Sequence, residues 1–257
     1  NSVRLVSDIK ITIKGIPMKI KSTALVIAMA LGLSACGQAP TDSNSSAPVA
    51  ATAEQIKTES EKANKMFEDS FMESVMRSPI YQTYMAIKKD YGKWDDISEA
   101  RAEEDIAIAK ANLKKLTTEI DVNKLDPQTK LSYQLAKQQL EDQIADYKWR
   151  YHDYPVNQMF GLHSMVPSLL INQHMITDVS DAEAYISRLN GVNTLFSELE
   201  KGLHKRQEMG ITPPQFVFPY VISDSGNIIK GAPFEGEGDS TLLADFKRKV
   251  TALEIDD

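Results

Sequence analysis

The sequence predicts an all-α protein, and three observations carry that prediction. There is no glycine between Gly92 and Gly161, so nothing in that long stretch favours repeated turns. Apolar side chains recur at helical spacing, most clearly at Tyr185, Leu189, Val192, Phe196, Leu199 and Leu203, which step by 4, 3, 4, 3 and 4. Helix start and stop signals also stand where the periodic segments begin and end. Asp126 before Pro127 is one, an N-cap followed by proline at the first helical position, and Gly210 after the long periodic run is another.

In chain order, residues 54 to 77 form the first helix, with Ile56, Met66, Phe67, Phe71, Val75 and Met76 mostly on one side. Ser78-Pro79 breaks it, and "IYQTYMAIKKDYG" makes a short second helix ending at Gly92. Residues 97 to 120 give a third, with Ile106, Leu113, Leu116 and Ile120 at helical spacing, and the Asp126 cap opens a fourth that runs to about Trp149. Residues 155 to 176, the most apolar part beyond the first 35 residues, read as a broken, buried helix pair around Pro167. Ser180 with Glu183 reads as a capping box for the helix at 181 to 209. Its stripe suits either packing inside a domain or a coiled-coil dimer. After Thr212-Pro213, "QFVFPYVIS" fits a helix or a short strand. Asp239 or Ser240 then opens a last helix with Leu243, Phe246, Val250 and Leu253 on one face, reaching the final residue without a cap. The expectation is a helical domain over 54 to 257 that is cut off at its C-terminus.

The first 53 residues have a different composition. Met18 to Lys21 supplies a short positive stretch, "STALVIAMALGL" an apolar run, and "LSAC" a small-residue exit, which together describe a secretory signal over 18 to 35. The apolar run is shorter than the roughly 20 residues a permanent membrane helix needs. Leu33-Ser34-Ala35-Cys36 resembles the lipobox of bacterial lipoproteins. That resemblance implies cleavage between Ala35 and Cys36 and lipidation of Cys36, the single cysteine of the chain. Gly37 after the cysteine, where aspartate would signal retention, implies an outer-membrane, periplasm-facing location. Residues 36 to 53 then read as the lipidated cysteine and a flexible linker of small polar residues. Residues 1 to 17 read as translated leader ahead of a start at Met18.

Charge narrows the partners. The chain carries 29 basic and 36 acidic side chains; residues 1 to 35 hold five of the former and one of the latter, leaving 24 against 35, a net charge of −11. Such a surface repels phosphate backbones, so nucleic acid is excluded as a partner. The membrane is reached through the lipid anchor.

Catalytic motifs are missing from the sequence. The four histidines, His152, His163, His174 and His204, contain no pair at the spacing of a zinc-binding helix, and prolines interrupt the segment across which three of them are spaced by 11. Gly161 to Met165 lacks the second glycine of a nucleophile elbow. Asp224 to Asn227 and Glu235 to Asp239 lack the alternating ligands of a calcium loop and read as solvated turns. No catalytic and no metal-ligating residue is assigned.

Three stretches, "SPIYQTYMAIKKDYGKWDDIS" (78 to 98), "YPVNQMFGLHSMVPSLL" (154 to 170) and "DAEAYISRLNGVNTLFSELEKGLHKRQEMGITPP" (181 to 214), resemble the bacterial family called domain of unknown function 885. The resemblance implies a zincin-like metallopeptidase relative, mostly helical, of which this chain is the N-terminal half. Members carry a motif similar to His-Glu-x-x-Pro-Gly-His-His in their later half, and no position here matches it. The expectation is therefore an inactive fragment with no cofactor of its own, zinc belonging to a full-length protein that acts on peptides. Asn157, Gln158 and His163, polar groups in an apolar stretch, are the candidates for lining the substrate cleft. The competing expectation is a non-catalytic helical lipoprotein that binds a periplasmic or envelope partner.

Overall fold

The computed structural model describes residues 51 to 253. Cys36, its cleavage site, the signal, the linker up to residue 50 and the last four residues lie outside the described residues. The all-α expectation holds: among the described residues there are eight α-helices, two single-turn 3-10 helices (Val122–Lys124 and Tyr147–Trp149) and one two-stranded ribbon.

The first core is a three-helix cluster. Helix α1 (Ala53–Met76) opens on Thr52, whose hydroxyl accepts from the Gln55 N–H while the Gln55 amide accepts from the Thr52 N–H. Helices α3 (Glu99–Glu119) and α4 (Pro127–Asp146) follow, capped by Ser98 and Asp126. The Asp126 carboxylate accepts from the Gln128 and Thr129 N–H groups and the Thr129 hydroxyl, which hold its pKa down at about 2. Ala63, Leu116, Ile120, Leu125 and Tyr133 form the buried centre, with Met66, Phe67 and Leu140 against it.

The second helix, expected to reach Gly92, is only Pro79–Tyr84 (α2). It stops in a Schellman arrangement: Ile87 N–H donates to Gln82 O and Ala86 N–H to Thr83 O. Ala86 sits at φ 58, the left-handed position that glycine normally takes. The buried Gln82 amide then holds the following turn, donating to Met76 O and Asp90 and accepting from the Asp90 N–H.

The second core packs α5 (Leu162–Asn172) against α6 (Val179–Glu208), α7 (Val217–Ile228) and α8 (Thr241–Thr251). Val166, Leu170, Ile176, Tyr185 and Leu195 are its buried members. The expected broken pair is one helix. Pro167 lies inside α5, where it costs only the bond its nitrogen would give the His163 carbonyl. The preceding residues close instead as a turn, bridged from Val156 to Gly161. The expected capping box is also corrected: Asp178 caps α6 by accepting from the Asp181 N–H, and the Ser180 hydroxyl donates to that same carboxylate. Gly210 does supply the stop, at φ 74, with Ile211 N–H donating to Arg206 O.

Of the two forms open to "QFVFPYVIS", the helix is the one formed, although it starts at Val217 and not at Thr212-Pro213. Asp224 to Asn227 lie in that helix, not in a turn, and Glu235 to Asp239 form strand β2, paired with β1 (Lys230–Ala232) through an irregular register. Ser240 caps α8, whose inward face uses Leu242, Phe246, Val250 and Leu253.

Candidate functional site

Helix α6 buries a stripe different from its apolar one. The buried positions are Asp181, Tyr185, Arg188, Leu195 and Leu199, so two charged side chains occupy the seam. The Arg188 guanidinium is fully buried and donates to Lys93 O (3.0 Å), Thr83 Oγ1 (2.6 Å), Pro79 O (3.3 Å) and His174 Nδ1 (3.0 Å). It also lies over the rings of Tyr91 and Trp94. Burial lowers its pKa to about 10.

His174, equally buried, completes the set. Its Nε2 donates to the Asp181 carbonyl at 2.9 Å and its Nδ1 accepts from Arg188, so the neutral ring satisfies both nitrogens. It stacks on Tyr91 at 4.1 Å, and burial lowers its pKa to about 4. Burial opposes ionisation of Asp181, but the Lys88 ammonium and the Thr177 hydroxyl and N–H outweigh it and hold that carboxyl below its usual range. Lys249 reaches in from α8 and donates to Leu170 O, Ile171 O and His174 O, closing the C-terminal end of α5. Its ion-pair partner Asp245 stands at 2.8 Å. These groups fasten the α2–α3 connection, α5 and α8 to α6; Arg188, His174, Asp181 and Lys249 are buried, and Lys88 reaches them from the surface.

The open site is a groove of about 610 Å³ between α1, α3 and α4, within the size range of ligand clefts. Its apolar lining comes from Phe67, Ile108, Leu116 and Leu140 with the more exposed Phe71, and the amides of Asn112, Gln139 and Gln143 also line it. At one end Asp105 accepts from both Arg77 (2.9 Å) and Arg101 (3.0 Å), and Arg77 also reaches Glu104 (3.0 Å). Arg101 donates to Arg77 O, closing the end of α1. Asp95 is held by Ser78 Oγ (2.7 Å) and the Ile80 N–H (2.8 Å). The hydroxyl and N–H of Ser98 hold the Asp96 carboxyl below its usual pKa. Four carboxylates (Glu73, Asp95, Asp96 and Asp105) and two guanidiniums line the groove, so its field favours a cationic or N–H-rich ligand group. Neither His nor Cys lines it.

The residues singled out in the sequence lie elsewhere. Asn157 closes the 154–160 turn, its amide donating to Tyr154 O and accepting from the Met159 and Phe160 N–H groups. Gln158 is exposed. His163 is buried at the start of α5, where a Cβ on Gly161 would meet its ring at 2.8 Å. None of the three lines the groove. His152 packs edge-on to Trp149 and His204 stands by Glu200 on the surface. Among the described residues no group of three or more His, Cys, Asp or Glu side chains could hold a metal ion. The groove itself was missed in the sequence because its apolar residues read simply as core.

Residues 79–256 match the family described as bacterial protein of unknown function (DUF885). The chain belongs to the DUF885 family. Within it, the match takes in α2 to α8, so the groove wall from α3 and α4 and the whole Arg188 network are DUF885 sequence, whereas α1 precedes the matched residues. No curated protein and no solved structure matches the chain.

Proposed function

We propose that this DUF885 member is an envelope lipoprotein, anchored through Cys36 to the outer membrane and facing the periplasm, whose helical unit forms part of a zinc-dependent peptidase-like protein. In this reading the groove between α1, α3 and α4 receives the peptide. The observation that supports it is the lining: apolar residues for side chains, amides for a peptide backbone, and a net acidic end suited to an α-amino group or a basic side chain. Asn157, Gln158 and His163, which lie apart from the groove, are proposed to line a further portion of the cleft. Zinc would be held by residues other than those described here.

A second reading is a non-catalytic lipoprotein that binds its partner in the same groove, favoured by a lining that offers donors and acceptors without His or Cys. Peptide binding and peptide cleavage measured on the full gene product, together with its zinc content, separate the two. Cleavage that a chelator abolishes supports the peptidase. Binding that Phe71→Glu abolishes, without cleavage or bound zinc, supports the binding protein. Peptide affinity unchanged by Phe71→Glu removes the groove from either.

A further inference from the structure

From Met209 to Ser223 the chain carries no charged residue for fifteen positions, although a quarter of all its residues are charged. This run contains the start of α7. The helix meets α5 through one stripe: Val217 is buried, and Val221, Ser225 and Ile228, at the same helical spacing, are half-buried. Off that stripe, the first half of the helix and the residue before it carry large apolar side chains open to solvent: Phe216 is 59% exposed, Phe218 47%, Tyr220 59% and Ile222 70%. Ile229 and Phe234, on the ribbon that follows, add 54% and 61%. A helix apolar on more than its packed side is one whose remaining surface is meant to be covered.

We infer that this face of α7 rests in the headgroup–acyl boundary of the bilayer to which Cys36 tethers the protein. The inference builds on the lipoprotein reading above. Two facts favour a lipid surface. The fifteen residues between Cys36 and Thr52 span at most roughly 50 Å, so the unit cannot leave the vicinity of the membrane that holds its anchor. The chain beyond residue 35 has a net charge of −11, and the run from Met209 to Ser223 offers a lipid surface an aromatic and aliphatic stretch without carboxylates, with Asp224 and Glu235 following it. Phenylalanine, tyrosine and isoleucine are the side chains that partition into that boundary, with the phenol of Tyr220 at headgroup level. No helix among the described residues is long and apolar enough to cross the membrane, so the contact is interfacial. The occupant is a zwitterionic lipid surface, and salt should barely affect the contact.

The test uses the processed protein in phosphatidylcholine vesicles containing brominated lipid, with tryptophan introduced by Phe218→Trp or, as a comparison, at the exposed Gln134 of α4 by Gln134→Trp. Relative to the native protein's own two tryptophans, the Phe218→Trp signal is expected to be quenched about twofold and shifted to the blue, at low and high salt alike. The Gln134→Trp signal is expected to stay unquenched. The mass of the N-terminal peptide reports acylation separately. Acylated, vesicle-bound protein with no quenching at residue 218 overturns this inference and leaves the anchor standing. Unacylated protein whose Phe218→Trp signal is still quenched overturns the anchor and sustains the inference. Unquenched signals together with self-association that Phe218→Ser and Ile222→Ser abolish overturn the lipid surface in favour of a protein one.

Discussion

Replacing Arg188 with methionine tests whether the buried guanidinium organises this fold. The substitution keeps a long apolar stem but removes the donor from four acceptors: the carbonyls of Lys93 and Pro79, Thr83 Oγ1 and His174 Nδ1. A buried polar group left unpaired costs about 1–3 kcal/mol. Pro79 O keeps the Thr83 hydroxyl as its donor and that hydroxyl stays bonded, so the loss falls on Lys93 O and His174 Nδ1 and amounts to about 2–6 kcal/mol. Against the loss stands the relief of no longer burying a charge, whose cost is visible in a guanidinium pKa lowered to about 10. The balance is the range measured when one member of a buried charged network is removed, about 3–5 kcal/mol. For a unit of this size each kcal/mol moves the melting temperature by about 2–4 °C, giving a fall of about 6–20 °C. Urea and thermal unfolding followed by far-UV circular dichroism would read it. Arg188→Lys should fall between the two, since one ammonium cannot reach all four acceptors. A methionine variant within about 1 kcal/mol of the native protein refutes the reasoning, because it would show that apolar packing alone seats α6.

Three further outcomes follow from the same contacts. His174 is neutral in the fold with a pKa lowered to about 4, while the unfolded chain takes up its proton near 6.5. The stability it contributes is thus full above pH 6.5 and is lost progressively as pH falls to 4, by about 3 kcal/mol; an imidazole titrating near 6.5 by NMR would contradict this. Ala86→Gly should stabilise the protein by about 0.5–1 kcal/mol, since glycine takes the left-handed position at the end of α2 without steric penalty, and an unchanged or lower urea midpoint would count against it. Lys249→Met should cost about 3–5 kcal/mol by leaving three carbonyls without their buried donor and Asp245 with Arg248 as its remaining cation. Adding Asp245→Leu should recover part of that loss, and strictly additive effects would show that the two side chains do not interact.

Two helix ends show why parts of the fold were legible in the sequence and others were not. Helices α2 and α6 end in the same hydrogen-bond arrangement, with a left-handed residue closing the turn. At α6 that residue is Gly210, and the stop could be read. At α2 it is Ala86, and nothing in "YQTYMAIKKDYG" marks the end, so the helix was carried on to Gly92. The stop there is imposed from outside, by the buried Gln82 amide gripping Asp90 and Met76 O. The capping of α6 misled for a related reason: Ser180 and Glu183 have the right spacing, but Asp178 offers a stronger acceptor two residues earlier.

What the sequence determined by itself is local. Caps at Asp126 and Ser240, the prolines behind Ser78 and Asp126, and apolar spacing in α1, α3, α4 and α8 are properties of neighbouring residues, and they fix helix identity within a few positions. Only the tertiary structure decided which face of each helix is inside. On α6 and α8 the seam includes Asp181, Arg188, Asp245 and Lys249, which no apolar count would place there. A charge can be buried only when distant chain supplies its partners, as Pro79, Lys93 and Leu170 do, and such pairings across a hundred residues leave no periodic trace. The groove is of the same kind: Phe67, Leu116 and Leu140 are spaced like any core residues, and only the arrangement of α1 relative to α3 and α4 leaves room between them.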